Sequence, residues 1–178
     1  MKILAAAYSA LVLLVLIVAV VLIVLVRPMP SVPDHGPLTG PVDLIVVEKA
    51  ARRMVLYRDG VSLRSYRIAL GFAAQGDKLR QGDGRTPEGI FHINRRNESS
   101  AYHLSLGLDY PRPVDSARAA AGGYDPGGDI FFHGQPNGFP DAAMVPGDWT
   151  AGCIALSNAE MREIWPVVAI GTKVEIMP

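Results

Sequence analysis

The sequence predicts a mostly β domain with one or two short helices, preceded by a transmembrane segment. Three observations carry that reading. Short runs rich in β-branched and aromatic residues recur from Val42 to the C-terminus, separated by Gly, Pro and Asp-Gly breaks. Only one clear stretch of helical periodicity follows them, after Ser157. The first 26 residues, finally, are almost wholly apolar. The chain has 178 residues, 49% of them hydrophobic, which suits one globular domain and an additional apolar segment. Seventeen basic residues balance seventeen acidic ones without a Lys/Arg cluster, so neither nucleic acid nor a polybasic lipid contact is expected. A single cysteine leaves no intrachain disulfide, and the fold must rest on its core.

Ile3 to Val26 runs without a charge and exceeds the roughly 20 residues that cross a hydrocarbon core. We read residues 1–26 as an uncleaved single-pass signal anchor. The rival is a cleaved signal peptide, whose apolar region is typically about 7–15 residues long. Residues 27–41 hold five prolines and two glycines without hydrophobic periodicity and read as an extended tether, tuned in length or a passive spacer. Residues 42–178 form the domain. Strands are expected over Val42 to Glu48, Met54 to Arg58 and Val61 to Leu70, with Asp59-Gly60 as a hairpin turn between the last two. Gly71 to Gly84 reads as a loop, and Thr86-Pro87-Glu88-Gly89 turns into a strand over Ile90 to Ile93. A strand at Tyr102 to Leu106, a short helix at Asp115 to Ala121 and a loop at Gly122 to Gly128 follow. Ile130 to His133 is a buried strand, Gly134 to Trp149 a loop, and Cys153 to Leu156 the next strand. Ser157 and Glu160 form a capping box for a helix that buries Met161, Ile164, Trp165 and Val168. Lys173 to Ile176 alternates as a closing strand.

The candidate chemistry centres on Cys153 and His133, the two ends of one glycine-rich loop. A thiol with an ordinary pKa near ~8.5 is mostly protonated at neutral pH, so an imidazole that removes its proton creates the nucleophile. The competing reading makes Cys153 a buried structural thiol and His133 a hydrogen-bonded core residue. Gly152 permits close backbone approach, and the Gly152 and Cys153 N–H groups are candidates for an oxyanion hole. The imidazole needs an acceptor on its other nitrogen: Asp129, Asp141 or the Gly134 carbonyl. No cofactor is expected. A zinc site built from His92, His103, His133 and Asp129 lacks the usual ligand spacings.

Thr86-Pro87-Glu88-Gly89-Ile90-Phe91, Phe132-His133-Gly134 and Thr150-Ala151-Gly152-Cys153-Ile154 together resemble the L,D-transpeptidases with a YkuD catalytic domain, over Val42 to Pro178. Gly147-Asp148-Trp149-Thr150 and Ser157-Asn158-Ala159-Glu160-Met161 are similar to the YafK-like branch. The resemblance implies a β-sandwich or barrel-like domain, Cys153 as nucleophile, His133 as base and the Gly134 carbonyl as third member. It implies peptidoglycan stem tetrapeptides as substrate, with D-alanine released and the acyl group passed to an amine. It also implies a domain outside the cytoplasm, held at the inner membrane by the N-terminal segment. Thr150 and Tyr102 are added as candidate oxyanion or substrate contacts. One departure stands out: many members carry arginine two residues after the cysteine, where this chain has Ala155. Other readings are a thiol hydrolase of wall peptides, a non-catalytic wall-binding module, and a sortase-like transferase using Arg112 or Arg118. Asp141 and Asp148 are candidates to hold an incoming amine.

Overall fold

The computed structural model describes residues 36–178. The expected anchor over 1–26 and the tether as far as residue 35 lie outside the described residues, among which no helix is long and apolar enough to cross a membrane. The C-terminal end of the expected tether is fastened to the domain: Leu38 packs on the core, and Arg58 donates to the carbonyls of Thr39 and Pro41.

Eight strands and two helices follow in the order β1 (Leu44–Glu48), β2 (Arg53–Arg58), β3 (Val61–Arg67), β4 (Gly89–Ser100), β5 (His103–Leu108), α1 (Pro113–Gly122), β6 (Phe131–His133), β7 (Ile154–Ala155), α2 (Asn158–Ile164) and β8 (Lys173–Met177). They form one sheet with spatial order β3-β2-β1-β8-β4-β5-β6-β7. Pairs β1–β8 and β6–β7 are parallel, and the rest are antiparallel. The chain just after β3 returns to the far edge. Ala69 and Ala155 exchange both backbone hydrogen bonds (2.9 and 2.8 Å), Thr150 N–H donates to Leu70 O, and Phe72 N–H donates to Thr150 O. The chain leaving β3 therefore meets the β7 edge, which partly closes the sheet in a barrel-like manner.

Local chemistry explains most elements. Asp59 and Gly60 both have positive φ (50° and 75°), as a two-residue turn matched to strand twist requires. At the start of α2, Ser157 Oγ accepts from Glu160 N–H, and the Glu160 carboxylate takes the Ser157 N–H. The helix ends at Ile164, so Trp165 is its C-cap, and Val168 is buried beyond it rather than on its face. One cluster makes the core, with Val47, Leu56, Phe91, Leu106, Phe132 and Ile164 among its fully buried members.

Strand β4 is three times the length expected from Ile90 to Ile93. Its first four residues pair with β8, and the remainder turns to pair with β5 through two register shifts. Arg95 and Arg96 look like a strand end in sequence, but each lies along an aromatic face. The Arg95 guanidinium is 4.4 Å from the Phe131 ring centre and that of Arg96 is 3.9 Å from Trp165.

Buried cations fasten the Gly71 to Gly84 loop. Lys49, 2% exposed, donates to Gly76 O, Thr86 O and Glu88 Oε1 (2.6, 2.8 and 2.8 Å). Lys78 donates to Asp83 Oδ1 at 2.8 Å. Burial would raise the Asp83 carboxyl, but Lys78 and the N–H groups of Leu79, Arg80 and Arg85 hold it at about 2. This loop backs the cysteine turn: a Cβ on Gly152, whose φ is +141°, would stand 2.7 Å from Arg85 O.

Candidate active site

The sheet register places the candidate residues on one face. Strands β4 to β7 align Asn97, Ser105, His133 and Ala155 in one cross-strand row. The adjacent row on the same face is Arg95, Gly107 and Phe131. Cys153, one residue before the Phe132–Ile154 pair, continues that second row onto the turn leading into β7. Cys153 and His133 are thus diagonal neighbours, with Cα atoms about 8 Å apart from ordinary strand spacings. Both line a cavity of about 230 Å3 together with Asn97, Ser100, Tyr102, Ser105, Asp129 and Phe131.

His133 is held from three sides. Its Nδ1 lies 2.7 Å from Gly134 O, so Nδ1 carries the proton and Nε2 is left as the basic nitrogen. The Gly134 peptide is itself oriented, since its N–H donates to Tyr102 O (3.0 Å) and Leu104 O (3.3 Å). A side chain at Gly134 would collide with Asn158 Oδ1. Tyr102 and Trp149 complete an aromatic enclosure, their ring centres 4.7 and 5.6 Å from that of the imidazole. Of the three acceptors open to His133 in sequence, the structure places the Gly134 carbonyl there. The Asp129 carboxylate points to Arg95 and that of Asp141 to Arg162.

Cys153 is half-buried, and its Sγ donates to Asp129 O at 3.4 Å. Burial pushes the Cys153 thiol above the ordinary cysteine range, against an opposing hydrogen bond from the Phe131 backbone. Burial likewise pushes the His133 imidazolium below its ordinary 6.5, only partly offset by the bond to Gly134 O. Both shifts favour the uncharged forms, so the resting pair is a neutral thiol beside a neutral imidazole.

The turn before the cysteine differs from the expected oxyanion arrangement. Gly152 N–H donates to Thr150 Oγ1 (3.1 Å), and the Thr150 hydroxyl donates to Cys153 O (2.7 Å). Thr150 and the Gly152 N–H are therefore engaged in holding the turn, which leaves the Cys153 N–H as the remaining candidate of the two proposed oxyanion donors. Tyr102 packs on the imidazole and lines the cavity.

Other candidates are drawn elsewhere. His92 Nδ1 sits 3.3 Å from Asp109, and His103 Nε2 lies 3.4 Å from Arg162. Arg112 and Arg118 pair with Asp115 and Asp77 at the α1 end. Asp141 and Asp148 are occupied by Arg162 and Arg52. Trp149 stood in the sequence only as part of a motif and not as a partner of His133, and the fully buried Gln135 was not a candidate at all. The Gln135 N–H donates to Asn158 Oδ1 (2.8 Å), its side-chain amide donates to Leu156 O (2.6 Å), and its Oε1 accepts from Val145 N–H (2.9 Å). These bonds shape the loop from Gly134 to Trp149, and their only sequence signal is a polar residue directly following the Phe132-His133-Gly134 motif.

Residues 42–176 match the family profile of the L,D-transpeptidase catalytic domain, YkuD. Over 108 residues the chain is 29% identical to YafK of Escherichia coli (strain K12), which is named as a candidate L,D-transpeptidase. That match covers 60% of this chain and 37% of YafK. Among solved structures, the helical cell shape determining protein Pgp2 from Campylobacter jejuni is similar with a TM-score of 0.59 and 27% identity, over 77% of this chain and 48% of Pgp2. Bd1075 from Bdellovibrio bacteriovorus shares the fold, with a TM-score of 0.54 and 21% identity, over 78% of this chain and 48% of its own. The chain thus spans little more than a third of YafK and about half of Pgp2.

The neutral resting pair has a measurable signature. Alkylation of Cys153 by iodoacetamide, which reports thiolate, should climb with pH to an inflection above 9.0. The His133 imidazole, followed by NMR, should titrate below the ordinary histidine range. An unfolded chain binds that proton more readily, so His133 takes stability away as pH falls from 6.5 through its depressed folded value. An alkylation plateau already reached near neutrality would indicate a preformed thiolate–imidazolium pair instead.

Proposed function

The chain belongs to the L,D-transpeptidase catalytic domain family, YkuD, and from that premise we propose that it is a cysteine acyltransferase acting on peptidoglycan stem tetrapeptides. The observation carrying this reading is the shared cavity of Cys153 and His133, with the imidazole tautomer set by Gly134 O. The family is generally one of transferases, and the shared cavity of Cys153 and His133 supports the following course for the reaction.

His133 Nε2 takes the thiol proton as Sγ attacks the carbonyl joining the third residue of the stem to the terminal D-alanine. Negative charge develops on the carbonyl oxygen, where the Cys153 N–H is the donor we assign. The C–N bond breaks, the imidazolium gives its proton to the departing D-alanine amine, and a thioester remains on Cys153. An amine from a second stem peptide or a D-amino acid then attacks, His133 takes its proton, and the thiol is restored. The dry, aromatic surroundings of His133 suit this cycle, because a neutral base is available at neutral pH without first losing a proton to water.

One observation favours water as a second acceptor. Asp141 and Asp148, the acidic candidates of the Gly134 to Trp149 loop for holding an incoming amine, are both bound by arginines. On that reading the enzyme trims tetrapeptides to tripeptides. We propose a role in wall organisation and cell shape, supported by the likeness to Pgp2. We place the domain on the periplasmic side of the inner membrane, since the apolar run Ile3 to Val26 is long enough to span and the proposed substrate lies outside.

Three measurements test these statements. Cys153→Ser and His133→Ala should each lower turnover by about 10²–10⁴-fold. Mass spectrometry of muropeptides incubated with and without an acceptor amine then separates the outcomes: cross-linked or exchanged products support transfer, while tripeptide alone at every acceptor concentration replaces it with hydrolysis. For topology, protease added to intact spheroplasts should remove the domain. Protection until the membrane is lysed would place it in the cytoplasm, away from the wall.

A further inference from the structure

Ala155 is fully buried, aligned with His133 on one side and hydrogen-bonded to Ala69 on the other. A long cationic side chain has no place there, so any cation on the site face comes from another position. The row through Arg95, Gly107 and Phe131 supplies one. Arg95 lies flat across β5, which is possible only because Gly107 has no side chain. A Cβ there would stand 2.6 Å from Arg95 Cγ and 2.9 Å from its Nε. The guanidinium arrives over the Phe131 ring on β6, the strand next to the Cys153 turn, roughly one strand spacing (~5 Å) from the position of Cys153 in the same row.

The guanidinium is held but not saturated. Nη2 donates to Asp129 Oδ1 at 2.8 Å and Nη1 to Asn94 Oδ1 at 3.2 Å. Its partner Asp129 is 88% exposed, and so exposed an ion pair is a weak competitor for a desolvated anion. A carboxylate belonging to the residue that follows the attacked carbonyl lies within one residue length (~3.8 Å) of that carbon, which matches the offset between sulfur and guanidinium. Arginine binds carboxylates through paired N–H groups.

We propose that Arg95 binds the free C-terminal carboxylate of the donor peptide, one residue beyond the bond that Cys153 attacks. The assignment rests on the acyltransferase reading above. The chain thereby recognises a peptide end through β4, and Gly107 is part of the same device as the slot that lets the side chain cross β5. Arg95 is a specificity-determining residue: it selects which peptides are cut and takes no proton in the reaction.

The test uses two tetrapeptide donors that are identical except for a free C-terminal carboxylate or a C-terminal carboxamide. The full chain, Arg95→Gln and Arg95→Lys are compared by kcat/KM for release of the terminal residue. The unaltered chain should prefer the carboxylate by about 10–100-fold, the range expected for a hydrogen-bonded charge. Arg95→Gln should lose that preference through a fall on the carboxylate donor, and an unchanged thermal melting temperature shows that it folds. Arg95→Lys keeps the aliphatic stem over Gly107 and should retain part of the preference. An equal loss on both donors, or a preference that survives Arg95→Gln, overturns the proposal. Should the unaltered chain cleave neither donor, the acyltransferase reading falls separately. Binding of the two peptides to Cys153→Ser, with and without Arg95→Gln, then decides the role of Arg95: carboxylate selectivity lost with the arginine supports it, and selectivity absent or unaffected overturns it.

Discussion

Two residues, Ile154 and Ala155, hold the candidate site in register. As β7 they pair in parallel with β6, Leu156 N–H donates to His133 O at 2.9 Å, and Ala155 exchanges backbone bonds with Ala69 across the closure of the sheet. Side chains alternate between faces, so a slip of one residue would bury Cys153 in the core and turn Ile154 into the cavity. The pairing has consequences along the whole row. It sets Cys153 beside Phe131 and diagonal to His133, and it seals Ala155 between two strands. It also requires Gly152 to turn at φ +141° against Arg85 O. The loop clamped by Lys49 and Lys78 lies behind that turn, which connects two buried lysines remote in sequence to the position of the sulfur.

The electrostatics of the site follow from the same packing. Closing the sheet removes water from the thiol and the imidazole, and both are displaced toward their neutral forms. Neutral partners cost less to bury than an ion pair, which accounts for the absence of a charged group on His133 Nδ1: a backbone carbonyl orients the ring without adding charge. In the proposed reaction, charge develops only as a substrate carbonyl accepts it. The cations near the sulfur stay to the side, Arg95 over Phe131 and Lys78 in the glycine-rich loop.

What the sequence made legible was local. The Asp59-Gly60 turn, the Ser157/Glu160 capping box and the short apolar strands depend on neighbours a few residues away, and they form as expected. The positions of Cys153 and His133 at the two ends of one loop were also legible, because a long Gly- and Pro-rich connection between two apolar runs suits adjacent strands. Less legible was anything decided across the sheet. The second half of β4 reads as polar and unstructured until Phe131 and Trp165 are brought beneath Arg95 and Arg96. Lys49 and Gln135 are polar residues buried by carbonyls and amides scattered along the chain, which no periodicity announces. The engagement of Gly152 N–H by Thr150 likewise depends on a turn whose shape is set from outside it.

The central claim is that Cys153 carries the acyl group between bond breaking and transfer. Intact-protein mass spectrometry after rapid mixing with a stem tetrapeptide tests it most directly. A transient adduct equal to the substrate less D-alanine should appear, mapped to Cys153, absent in Cys153→Ser and formed far more slowly in His133→Ala. Release of D-alanine without any adduct, and undiminished in Cys153→Ser, would contradict it.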